Sequence, residues 1–188
     1  MKNLNIAVIL ALTVTSAQAD TFNTFNRWNA GGSNTTGVFY ATVYSPQDVD
    51  YQFMLSSTVE DCTIKYASLL LNNMKEAEEA FAEDVDVITY RVGEHAPIRG
   101  VYSMSRRTDY MMFPVSNWMS SNASELLSQI KSGVTLRVKI DMGENKFYAS
   151  FPLKGSRKAI DRMNELCLEA SSKSEGKSNA DYFEEYDL

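Results

Sequence analysis

The side chains able to do chemistry in this chain are few. Cys62 and Cys167 stand about one hundred residues apart. A disulfide, two free thiols and half of a metal site are all open to such a pair. Neither cysteine has a second cysteine or a histidine at ligand spacing, so the remaining donors of a zinc site are not evident. An even cysteine count in an exported chain favours the disulfide. A closed loop of that length is worth about 4–5 kcal/mol in the chain-entropy model. His95 is the single histidine, which excludes two-histidine metal sites and leaves any histidine-based triad only this residue. It falls in Gly93-Glu94-His95-Ala96-Pro97 and reads as a solvent-facing loop residue. No nucleophile elbow, P-loop or dinucleotide fingerprint occurs. The acid pairs Glu60-Asp61 and Glu83-Asp84 sit in polar stretches, and spacing in sequence does not make a glycosidase pair. The expectation is a chain without catalytic residues, cofactor or metal: not an enzyme.

Binding chemistry has one candidate. Arg91, Arg99, Arg106 and Arg107 fall within two predicted strands and their connection. If those strands pair, the guanidinium groups approach one another and suit a carboxylate or phosphate polymer, such as a cell-wall component. The alternative is four solvated arginines facing acids such as Glu94 or Asp109. Tyr40, Tyr44, Tyr90, Tyr102, Tyr110 and Trp118 suit either a binding face or cross-strand packing. The chain as a whole is acidic, with net charge -6. That disfavours nucleic acid as a partner and leaves only local cationic patches.

These residues sit behind an export signal. Lys2 gives the positive start, Ile6 to Val14 the apolar run, and Ala17-Gln18-Ala19 the small-x-small cleavage site. Residues 1–19 are therefore expected to be removed and the mature protein to be periplasmic or secreted. About 169 residues remain, enough for one domain with a true core. No later stretch has the length of a membrane-spanning helix. Residues 20–37, rich in Asn, Thr and Gly, read as an irregular lead-in. A single β-rich domain is expected over 38–170 and a disordered acidic tail over 171–188.

Within the domain the periodicity predicts strands at 38–44, 51–56, 62–71 and 85–92, then short strands at 101–106 and 110–113. In 62–71, alternation places Cys62, Ile64, Tyr66 and Ser68 on one face, and Thr63, Lys65 and Ala67 on the other. Residues 74–83 suit either a short helix or an acidic loop. Asn122, with Glu125 three residues on, reads as a capping box. It opens a helix whose apolar face is Leu126, Leu127 and Ile130 and which ends at Gly133. Residues 134–140 and 147–151 then form a hairpin around a loop of about five residues. A helix from about 156 to 170 presents Ala159, Ile160, Met163, Leu166, Cys167 and Ala170 on one face. The fold class is α+β: an antiparallel sheet or small sandwich, one internal helix, and a terminal helix tethered through Cys62–Cys167.

The order of these segments is itself informative. Cys62-Thr63-Ile64 opens a strand, Thr89-Tyr90-Arg91-Val92 closes another, and Ala149-Ser150-Phe151-Pro152-Leu153-Lys154-Gly155 precedes the helix that ends at Cys167. From Cys62 to Cys167 this resembles the VasI/TagO family of exported proteins accessory to bacterial type VI secretion. Gly93 stands where the family usually carries an acid. The family's cysteine-containing N-terminal segment has no counterpart here. The resemblance implies a non-enzymatic accessory protein with a protein partner in the cell envelope. A cell-wall-active protein or periplasmic inhibitor, encoded by a phage or mobile element, is the alternative. A secreted host-interaction or invasion factor is the third.

Overall fold

The computed structural model describes residues 21–47, 51–71, 87–100, 105–106, 111–114, 121–142 and 145–178. The expected leader at 1–19, the helix or loop at 74–83, Arg107, and the last ten residues of the expected tail lie outside these. Eleven strands and two helices are formed among the described residues. The strands are β1 (Thr21–Phe25), β2 (Trp28–Ser33), β3 (Val38–Tyr44), β4 (Tyr51–Thr58), β5 (Ile64–Leu71), β6 (Val87–Val92), β7 (Ile98–Gly100), β8 (Ser105–Arg106), β9 (Met111–Pro114), β10 (Thr135–Met142) and β11 (Asn145–Pro152). The helices are α1 (Ser121–Ser132) and α2 (Ser156–Ser178).

Every ladder is antiparallel. One sheet has the order β1-β2-β3-β4-β5-β9-β8 and the other β11-β10-β6-β7. They pack face to face as a sandwich. Alternation decides which side chains are inside. Ala41, Val43, Phe53, Leu55, Ala67 and Leu69 come from the larger sheet; Ile88, Tyr90, Val92, Leu136, Val138, Ile140 and Phe151 come from the smaller. Phe53 lies edge-on to Trp28 and Tyr90, with ring centroids 6.4 and 6.2 Å away, and against Phe151 at 5.9 Å.

Within the segment 20–37, expected to be irregular, residues 21–33 form the β1–β2 hairpin. Trp28 is fully buried, and its indole N–H donates to the Pro152 carbonyl at 2.8 Å, joining the two sheets. Gly31 and Gly32 hid the strand, because glycine is depleted in strands on propensity alone. Here a side chain at Gly32 would overlap the Phe39 ring. The faces assigned to 62–71 also need correction. A bulge between Ser56 and Ser57 pairs Ser56 with Tyr66 and Ser57 with Ile64, leaving Lys65 between them. The bulge inserts one residue and so reverses parity. Ile64 packs against the core, Tyr66 points to solvent, and Ala67 is buried. Cys62 lies in the preceding turn at φ 53, not in the strand. The β10–β11 register pairs Met142 with Asn145, so two residues rather than five separate the strands.

α1 begins at Ser121, so Asn122 lies within it. The Glu125 carboxylate accepts from Gln129 Nε2 at 2.9 Å, an i,i+4 contact. Leu126 and Ile130 are buried and Leu127 is partly so, as their spacing requires. α2 buries all six residues of its predicted face but runs eight residues further than expected, to Ser178. Its start is fixed sterically. Gly155 has φ 102 and lies under the Phe25 carbonyl, where a Cβ would collide with backbone. Ser156 Oγ donates to the Ile130 carbonyl at 2.7 Å and Arg157 Nε to the Lys131 carbonyl at 3.3 Å. The start of α2 thereby satisfies carbonyls that the end of α1 leaves open.

On its outer side Arg162 donates to Asn23, Glu165 and Glu169. The hydrogen bond to Glu165, followed by that to Glu169 and the charges of both, raises the Arg162 pKa against a lowering by burial. A disulfide joins Cys62 to Cys167, with Cα atoms 5.6 Å apart, and tethers α2 to the β4–β5 turn. The Cys167 Sγ also rests 3.3 Å from the Thr58 carbonyl.

Replacing both cysteines by alanine should lower the unfolding free energy by about 2–5 kcal/mol, measured by urea denaturation of the oxidised protein and the variant. An unchanged midpoint would mean that the apolar face of α2 suffices to hold it.

Candidate functional site: a cationic groove on the small sheet

The inward face of the four-stranded sheet determines its outward face. With Tyr90, Val138 and Phe151 turned to the core, the intervening residues point away from it. The register gathers them into rows. Ser150 lies opposite Arg137, which lies opposite Arg91. In the adjoining row Tyr148 lies opposite Lys139, Lys139 opposite Thr89, and Thr89 opposite Arg99. Beyond this row, Asp141 pairs with Lys146 and Val87.

The rows, apart from Arg99 at their edge, form the floor of a groove of about 470 Å³. Gln47, from the β3–β4 connection, stands on one side, where Ser150 Oγ donates to its Oε1 at 3.1 Å; Pro97, from the β6–β7 turn, stands on the other. Arg91, Arg137, Lys139, Thr89 and Tyr148 line it. Tyr148 is 63% exposed.

The electrostatics are unbalanced. Arg91 and Arg137 are direct cross-strand neighbours, an arrangement of like charges that destabilises a sheet. Arg91 Nη2 reaches Glu94 Oε2 at 3.2 Å, but Glu94 is 88% exposed, so the pair is held weakly. The Arg91 Nε is buried and has no acceptor among the described residues. Arg137 makes no ion pair among the described residues. Two neighbouring guanidinium groups, one weakly paired and the other without an ion pair among the described residues, can together receive an oxyanion.

The predicted arginine cluster is therefore divided. Arg91 and Arg99 share the outer face of the small sheet, in adjoining rows. Arg106 lies in β8 of the larger sheet, opposite Met111. Sequence reasoning did not place Arg137 and Lys139 beside Arg91 on this face. Their outward alternation was legible, but their pairing with β6 was not. The aromatic set also separates: Tyr90 is in the core, while Tyr40 and Tyr44 lie on the outer face of the larger sheet, the latter exposed. Tyr102, Tyr110 and Trp118 lie outside the described residues. His95 is exposed on the β6–β7 turn, its backbone N–H bonded to the Val92 carbonyl. Asp61 accepts from the Thr63 backbone N–H, closing the β4–β5 turn. Among the described residues no three His, Cys, Asp or Glu side chains are grouped to hold a metal, and no helix is long and apolar enough to cross a membrane. No family model, curated protein or solved structure matches the chain.

Arg137→Gln should stabilise the ligand-free protein by about 0.2–1 kcal/mol at low ionic strength, by removing the like-charge pair. The gain should shrink as salt screens the wild-type repulsion. Urea midpoints at two salt concentrations measure it. A destabilised variant would mean that Arg137 has a stabilising partner within the protein.

Proposed function

We propose that this is a non-catalytic binding protein of the bacterial cell envelope, which receives an anionic partner on the outer face of its four-stranded sheet. The observation that carries this reading is the cross-strand Arg91–Arg137 pair, in which Arg137 has no ion pair among the described residues. A protein that needed only a soluble sheet face would gain by placing an acid at one of these positions. The extracytoplasmic setting is supported by the leader-like residues 1–19 and by the disulfide, which persists in oxidising compartments. An accessory role in type VI secretion is supported by the resemblance of 62–167 to the VasI/TagO family. Its Ala149-to-Gly155 run also has a clear physical role in this fold. Ala149, Phe151 and Leu153 fill the core, Ser150 faces the groove, and Gly155 seats the terminal helix beneath β1.

Titrating isotope-labelled mature protein with methyl phosphate should produce saturable shifts of the Arg91 and Arg137 side-chain N–H signals. Arg137→Gln should weaken that binding about tenfold or more, the worth of a charge-assisted hydrogen bond. Shifts that do not saturate, or that persist in the variant, would remove the anion site. In a type VI-competent strain lacking the gene, the wild-type chain should restore killing of competitors and the Arg91→Gln/Arg137→Gln chain should not. Normal killing by the deletion strain itself would remove the secretion role.

A further inference from the structure

We infer that the occupant of the groove is an acidic polysaccharide, a chain of sugar rings bearing carboxylates at intervals, laid across the strands of the small sheet. This rests on the anion-binding reading above and specifies its ligand. The cations are spread over two rows rather than focused on one point. Arg91 and Arg137 occupy one row, and Lys139 and Arg99 flank Thr89 in the next. Residues two apart on a strand are about 6.6–6.8 Å apart, and neighbouring strands about 4.8 Å. A single small oxyanion bridges the first pair and leaves the second row unused. A polymer with repeating charge engages both.

The rest of the lining suits sugars. Thr89, Ser150 and Gln47 are neutral hydroxyl and amide groups, able both to donate to and to accept from ring hydroxyls. Tyr148 stands exposed at the end of the second row, its ring in none of the aromatic contacts among the described residues. It offers an apolar surface with a polar tip. Other polyanions fit less well. An acidic peptide binding by strand addition needs a free sheet edge, whereas these groups project from a face. A membrane surface needs projecting apolar side chains to insert; of the apolar lining residues Val138 and Ala149 are buried in the core, which leaves Tyr148 and Pro97. The net charge of -6 opposes a long, densely charged nucleic acid.

The test is isothermal titration of the mature, oxidised protein with four probes: methyl phosphate, galacturonate, tetragalacturonate and tetraglutamate. Tetragalacturonate should bind at least about tenfold tighter than galacturonate or tetraglutamate. Tyr148→Ala should weaken tetragalacturonate binding about tenfold while leaving the unfolding midpoint unchanged. Arg137→Gln should weaken binding of every acidic probe. If tetraglutamate equals tetragalacturonate, or Tyr148→Ala has no effect, the polysaccharide assignment is overturned and the anion site stands. If methyl phosphate and tetragalacturonate both fail to bind, the two readings fall together.

Discussion

Phe53 is where the two sheets meet. From β4 it reaches Trp28 on β2 within its own sheet, and Tyr90 on β6 and Phe151 on β11 across the sandwich. Aromatic rings in edge-on or tilted contact add to the stabilisation of burial alone. This contact also fixes parity. A strand has a side-chain period of two, so turning Tyr90 inward turns Thr89 and Arg91 outward, and turning Phe151 inward does the same for Ser150. The groove is thus a consequence of the core. A one-residue slip of β6 against β10 would bury arginines and expose tyrosine, and the core contact forbids it.

The terminal helix solves a different problem. It packs against β1, β2 and β3 of the large sheet, beside the smaller sheet. Three constraints of different kinds hold it. A glycine lets its first turn slide under the Phe25 carbonyl, and six apolar side chains bury its inner face. The disulfide then ties its middle to the β4–β5 turn. Ser156 and Arg157 also complete the end of α1, so the two helices form one capped unit. Trp28 carries the same economy, with one side chain filling the core and hydrogen-bonding to β11.

Against this rigid frame the cationic face stands out as a local conflict. The chain is acidic overall, yet it sets two arginines opposite each other on neighbouring strands. Native sequences tend to be internally consistent, and departures concentrate where a protein meets something else. The floor of the groove is sheet, with Gln47 and Pro97 at its sides.

Much of this was legible from residue order alone. The alternation in β6, β10 and β11 sorted inward from outward side chains, and the three- and four-residue steps after Ser156 named the buried face of α2 before any packing was known. The two cysteines, lacking further metal ligands, pointed to their own partnership. What sequence could not supply was adjacency between distant strands and breaks in local rhythm. Arg137 meets Arg91 only because β10 pairs with β6 across α1 and the residues between them. Alternation says which way a side chain faces but not which strand lies beside it. The bulge at Ser56/Ser57 put Ile64 and Tyr66, expected to share a face, on opposite faces, since one unpaired residue changes parity without altering composition. The first hairpin was obscured by its glycines, whose reason lies in the Phe39 ring they accommodate. Local pattern determined the elements and their buried faces. Long-range pairing, which depends on how the whole core closes, decided which charges became neighbours.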